Sequence, residues 1–148
     1  FVAPKQAADE QSIASVRKAR DFLKRALNAS NLDKHLATRN QDERAVSQLR
    51  VVRAKILCRL AETCESLSNL SQARSLYHRA IEENPASSEI LTKYGVFLCR
   101  VHDAAGAKEY FLEALVFNRN CHEALAAYGA LLAGSEDPKE IDEAQHYF

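Results

Sequence analysis

The sequence contains no Met and no Trp, only four Gly and three Pro, and no apolar run near the roughly 18 residues that a membrane span requires. Each scarcity excludes something. Few chain breakers, set against abundant Ala, Leu, Glu, Lys and Arg, argue for helices and against sheet. Without a long apolar run no membrane-spanning helix is expected, and the N-terminus lacks the pattern of a signal peptide. The missing Met extends to the first position, where Phe1 stands, so the chain is expected to be a piece of a longer protein. Formal net charge is zero, which removes the general pull toward nucleic acid or an acidic membrane. The four cysteines, Cys58, Cys64, Cys99 and Cys121, form no CxxC pair. They read as reduced thiols in a cytoplasmic compartment.

Catalytic patterns are also absent. His35, His78, His102, His122 and His146 are scattered, with no HExxH and no Cys/His pairing at zinc spacing. There is no Gly-rich phosphate loop and no GxSxG elbow. The carboxylate pairs Glu82-Glu83 and Asp142-Glu143 fall at expected helix ends on exposed faces, which does not suit paired acid–base work. No catalytic residue, metal or cofactor is therefore expected.

What the sequence does contain is a period. Ala73, Tyr77 and Ala80 return 34 residues later as Ala107, Phe111 and Ala114. Leu57, Leu60 and Ala61 are followed at the same step by Leu91, Tyr94 and Gly95, and then by Leu125, Tyr128 and Gly129. Self-similarity at that length marks an array of helix-turn-helix units, none of which can bury its apolar face alone.

Around this period the helices can be placed. Residues 1–10 read as a loose lead-in. From about Gln11 to Asn28, Ile13, Val16, Ala19, Leu23, Ala26 and Leu27 share one face while Arg17, Arg20 and Lys24 share another, giving a basic amphipathic helix. Its apolar stripe is expected to pack on the next helix of the same chain. Asn28 to Asp33 reads as a break, with a short helical segment at Lys34 to Ala37. Thr38 to Asp42 offers caps for a long helix from about Asp42 to Ser68, with Val46, Leu49, Val52, Ile56, Leu60, Cys64 and Leu67 as its apolar positions. Ser71 is expected to cap a helix ending at Glu83, where Asn84-Pro85 stops it. Ser87 or Ser88 starts a helix to about Val101, His102-Asp103 turns into a helix to Phe117, and Asn120 caps a helix to Ala133-Gly134. Asp137 and Pro138 suit a further helix start, and Ala144 to Phe148 matches the opening of a second repeat helix.

These residues resemble the tetratricopeptide repeat (TPR) family. The middle unit supplies Leu91, Tyr94-Gly95, Leu98, Ala107, Phe111 and Ala114. The unit before it supplies Leu57, Leu60-Ala61, Cys64, Ala73, Tyr77, Ala80 and Pro85, and the unit after it Leu125, Tyr128-Gly129, Leu132, Ala144 and Phe148. The resemblance implies an all-α helical-repeat solenoid of antiparallel helix pairs, a TPR-like superhelix. It would occupy residues 54–148 as repeats 54–87, 88–121 and an incomplete 122–148, with residues 1–53 as an irregular helical extension. Small residues would sit where helices cross closely and aromatics would fill the gaps between neighbours. The pattern departs from the family in lacking Trp at the first large position and in carrying Arg119 where Pro would close the middle unit.

The resemblance further implies a concave groove lined by the first helix of each unit. Its candidates are Lys55, Cys58, Glu62 and Glu65, then Glu89, Thr92, Val96 and Cys99, then Glu123, Ala126 and Ala130. The Lys and Asn residues of a carboxylate clamp are missing. The groove is small and weakly apolar with an acidic edge, suited to a peptide or an amphipathic helix flanked by Lys or Arg. Alternatively, the same side chains pack against further helices of this protein. Residues 1–53 hold 11 Lys/Arg against 6 Asp/Glu, and residues 54–148 hold 9 against 14, so a basic lead-in and an acidic array can attract one another within or between chains.

The expected function is a non-catalytic protein-interaction module or scaffold. One alternative is an architectural segment of a large eukaryotic assembly, such as ciliary or trafficking machinery. A more distant one is an RNA-binding helical array, for which a basic concave face would be needed.

Overall fold

The computed structural model describes residues 4–39 and 42–134. It contains α1 (Pro4–Arg39), α2 (Glu43–Ser66), α3 (Leu70–Glu83), α4 (Ser88–Arg100), α5 (Ala104–Phe117) and α6 (His122–Ala133). No strand occurs among the described residues. The chain divides into two compact units, Phe1–Asn84 and Pro85–Phe148. The first holds α1 to α3 and the second α4 to α6. The boundary drawn from the period at residues 53 and 54 therefore falls inside α2.

In the first unit, α1 is one continuous helix of 36 residues, which corrects both the loose lead-in and the break at Asn28 to Asp33. Pro4 stands in the first turn, where its missing N–H costs nothing. The supposed turn formers bond back into the helix: Ser30 Oγ donates to Leu27 O at 2.8 Å and Thr38 Oγ1 to Lys34 O at 2.9 Å. Asn31 accepts a hydrogen bond from Arg53 of α2. α1 packs along α2, burying Leu27 and half-burying Val16, Leu23 and Ala26, while Ile13 and Ala19 stay exposed.

α2 starts at Asp42, whose carboxylate accepts from Ala45 N at 3.0 Å. Its packed face is wider than the expected stripe, adding Ala54, Leu57, Cys58 and Ala61, and it reverses one expected position. Val52 is exposed and Arg53 is buried, its guanidinium held by the Glu83 carboxylate at the end of α3. α3, which packs on α2, is capped by Asn69 rather than Ser71.

In the second unit, Ser87 caps α4 and Asp103 caps α5. α6 follows Cys121, which makes no side-chain cap bond, so Asn120 is not its cap; the Asn120 N–H donates to Asn118 Oδ1 at 3.1 Å instead. The helix expected from Asp137 onward lies outside the described residues.

The 34-residue step is visible in the backbone itself. α2 ends at Ser66 and α4 at Arg100; α3 runs from Leu70 to Glu83 and α5 from Ala104 to Phe117. The turns repeat bond for bond. Ser68 and His102 both take positive φ, 58° and 63°. Ser68 N donates to Glu65 O and Asn69 N to Cys64 O; His102 N donates to Cys99 O and Asp103 N to Leu98 O. This is the Schellman ending of a helix. Its last residue, Asn69 or Asp103, is also the N-cap of the following helix.

Packing follows the same step. Leu57, Leu60, Ala61, Ala73, Tyr77 and Ala80 are buried, as are Leu91, Tyr94, Gly95, Leu98, Ala107, Phe111 and Ala114. Tyr128, Gly129 and Leu132 are buried and Leu125 is half-buried. Pro85 is exposed, immediately after the Asn84 C-cap of α3. Ala144 and Phe148 lie outside the described residues. A Cβ built on Gly95 would meet the Phe111 ring at 2.5 Å, so α4 and α5 approach as closely as only glycine permits. Tyr94 closes the same crossing, edge-on to Tyr110 at 4.7 Å and stacked with Phe97 at 6.0 Å.

Candidate binding surfaces

The groove candidates of the first unit all stand on α2 but differ in accessibility. Lys55 is exposed, Glu62 and Glu65 are half-buried, and Cys58 is buried. Glu62 is paired with Arg59 at 3.1 Å, and Glu65 receives the Tyr77 hydroxyl of α3 at 3.5 Å. Glu65 therefore serves the packing of α2 on α3, and Cys58 fills the core.

In the second unit, Glu89 is exposed on α4, Val96 and Cys99 are half-buried and Thr92 is buried; Glu123, Ala126 and Ala130 are exposed on α6. Three of these residues meet. Glu89, Thr92 and Glu123 line a cleft of about 330 Å³ together with Ser88, Lys93, Asn118 and Cys121. Thr92 Oγ1 donates to Ser88 O at 2.7 Å and lies 3.9 Å from Cys121 Sγ, so the hydroxyl is used internally. Glu89 pairs with Lys93 at 3.3 Å. The Glu123 carboxyl is held below its ordinary value by its own backbone N–H and then by the Cys121 thiol, which donates at 3.6 Å. It stays ionised, and the cleft keeps an acidic lip.

Cys64 and Cys99 are held in their thiol form by burial. Burial raises the Cys64 thiol, against the opposing charges of Arg20 and Lys24 on α1, and burial likewise raises Cys99. Among the described residues no group of His, Cys, Asp and Glu is arranged to hold a metal ion, and no helix is long and apolar enough to cross a membrane.

The sequence reading missed the main polar feature of the first unit. Glu83 does not lie on an exposed face: its carboxylate gathers cations from two other helices. Arg53 donates to Glu83 Oε1 through Nε at 3.1 Å and Nη2 at 2.8 Å. Lys34 Nζ reaches both oxygens at 3.2 and 3.3 Å, and Arg50 Nε stands 3.6 Å away. Arg50 also caps the end of α3 by donating to Glu82 O at 3.0 Å. The side chains of Arg53 and Glu83 are only 7% and 13% exposed. Burial pushes the Glu83 carboxyl up, but the hydrogen bonds and charges of Arg53 and Lys34 outweigh it and hold the carboxyl below its ordinary value. Part of the charge asymmetry between the two stretches of sequence is thus satisfied inside the first unit. The signal was available in Arg53, a cation standing at an apolar phase of α2.

Paired antiparallel helices, a 34-residue step in boundaries and turns, and small residues at the crossings define a TPR-like helical-repeat protein. Residues 57–148 match the family described as cilia and flagella-associated protein 70 middle TPR-like domain, and the chain belongs to that family. No curated protein matches the chain in sequence. Among solved structures, a mutant O-GlcNAc transferase of Thermobaculum terrenum shares the fold with a TM-score of 0.57 and 18% identity over 82% of this chain. The match spans 25% of that transferase chain and carries the fold alone.

Proposed function

We propose that this chain is a non-catalytic protein-interaction scaffold working within a ciliary or flagellar assembly. The observation that carries the reading is the family match over residues 57–148. The helix faces of the second unit support it: exposed Ala126 and Ala130 offer small side chains, and exposed Glu89 and Glu123 give an acidic border. Such a surface suits an amphipathic helix or peptide whose apolar stripe is flanked by Lys or Arg. A polyanion such as RNA would meet Glu89 and Glu123 at the cleft, which sets the nucleic-acid reading aside. The scaffold would work in a reducing, cytoplasm-like compartment.

The test is a panel of helical peptides graded from acidic to basic flanks, titrated against the chain. Basic-flanked peptides should bind, and Ala126→Arg with Ala130→Arg should abolish binding while leaving the melting temperature unchanged. Equal binding across the panel, or binding that survives both substitutions, would sink the groove reading.

A further inference from the structure

Two exposed faces, one in each unit, are used by nothing described so far. On α1, Lys18, Phe22, Arg25, Ala29, Leu32 and Leu36 are all exposed, and their spacing alternates between four and three residues. That is the spacing of a helix–helix seam, and it lies on the side of α1 opposite Leu23, Leu27 and Lys34. Phe22 is 72% exposed and Leu32 63%. Large apolar groups so open to water, repeated along one line, mark an interaction surface more than a solvated helix back.

On α5 the same alternation runs through Ala105, Glu109, Leu112 and Val116, with Val116 76% exposed. Leu112, Leu115 and Val116 form a groove of about 400 Å³ with Arg119 and Leu125. The two seams carry opposite charge. Lys18 and Arg25 lie in the first, while Glu109 and Glu113 border the second.

We propose that the occupant of each seam is a second copy of this chain, the α1 seam of one copy docking on the α5 groove of another. Matched spacing lets Phe22 reach the apolar groove, and charge complementarity sets Lys18 and Arg25 beside Glu109 and Glu113. In a parallel register with Phe22 level with Leu112, Lys18 comes within one residue of Glu109 and Arg25 within two of Glu113. The contact is heterologous, since each copy offers two different faces, so it builds either a reciprocal pair or a run of copies. It uses faces other than the proposed groove and stands or falls independently of it.

Light scattering of the 148-residue chain across a concentration series tests this. Wild type should grow in mass with concentration, and less so at high salt. Lys18→Glu with Arg25→Glu, or separately Glu109→Lys with Glu113→Lys, should each weaken association about tenfold, the effect of two exposed ion pairs. Mixing the two double variants should restore it, because each then offers the other a complementary seam. That rescue also shows that neither variant has simply unfolded. A chain that stays monomeric at every concentration overturns the proposal, including one that instead captures an acidic helix from another protein. So does association indifferent to both reversals, or a mixture that stays dissociated.

Discussion

The pairs α2–α3 and α4–α5 share their boundaries at one period's distance, yet they are closed by different physics. α2 has 24 residues and α4 has 13, and the extra length of α2 lies at its start. That extension carries Arg50 and Arg53 to the C-terminal end of α3. There Glu83 would otherwise sit unfavourably, an anion at the negative end of a helix dipole. One period later the corresponding positions are Asn84 and Ser87, one a C-cap and the other an N-cap, and Phe117 in place of Glu83. At the corresponding place in the second pair Phe117 brings no carboxylate. This pair relies on Gly95 against Phe111 and on the Tyr94–Tyr110 contact. Ala61 stands where Gly95 would fall in the first pair, and its Cβ is fully buried without displacing its neighbours. The repeat thus fixes where the first helix of each pair stops and where the second runs, while the force that joins them is chosen locally.

The largest test of this contrast removes the charge cluster. Glu83→Ala leaves Arg53 buried without its carboxylate and should cost about 3–5 kcal/mol in chemical denaturation. Replacing both partners, Arg53→Met with Glu83→Leu, should recover most of that loss, since no buried charge is then left unpaired. If the single variant is neutral, the cluster is ornament and the two pairs are closed alike.

In the second pair, Gly95→Ala should cost about 1–3 kcal/mol because the fully buried Phe111 ring has no room to retreat. Phe111→Leu on that background should return part of it. In the first pair the opposite substitution, Ala61→Gly, should cost about 1–2 kcal/mol through helix propensity and the loss of a buried methyl.

Acid should separate the pairs more gently. The Glu83 carboxyl is lowered on folding, so the stability it contributes is fully present above its ordinary value of 4.5 and is lost as pH falls through the lowered value. Glu83→Gln should flatten that part of the stability–pH curve, whereas Gly95→Ala should leave its shape unchanged.

The smallest effect concerns what the pairs have in common. Ser68 and His102 hold left-handed backbone without being glycine. Ser68→Gly and His102→Gly should each stabilise by about 0.5–1 kcal/mol, and by similar amounts if the turns are equivalent. A gain at one turn and not the other would break the equivalence.

Most of the array was legible because its signals are local. The 34-residue step, Asn84-Pro85, Ser87 and the His102-Asp103 turn place the helix limits without reference to anything distant. The misreadings at Asn31 and Arg53 share a cause in partners remote in sequence. Asn28, Ser30, Asn31 and Asp33 look like a turn on their own propensity, but Asn31 is engaged by Arg53, 22 residues away, and Ser30 is spent on Leu27 O. A hydrophobicity pattern prefers Val52 to Arg53, and only the carboxylate of Glu83, 30 residues on, makes a buried cation acceptable. Similarly, the repeat register puts Cys58 and Thr92 on a groove face, while the packing of each unit encloses them.

The turns at Ser68 and His102 leave no spare residue, since Asn69 and Asp103 each finish one helix and begin the next. Fraying of either helix end then removes a bond from its neighbour's end as well. Each pair should accordingly open as one cooperative step, with amide protons on both sides of a turn exchanging together rather than helix by helix.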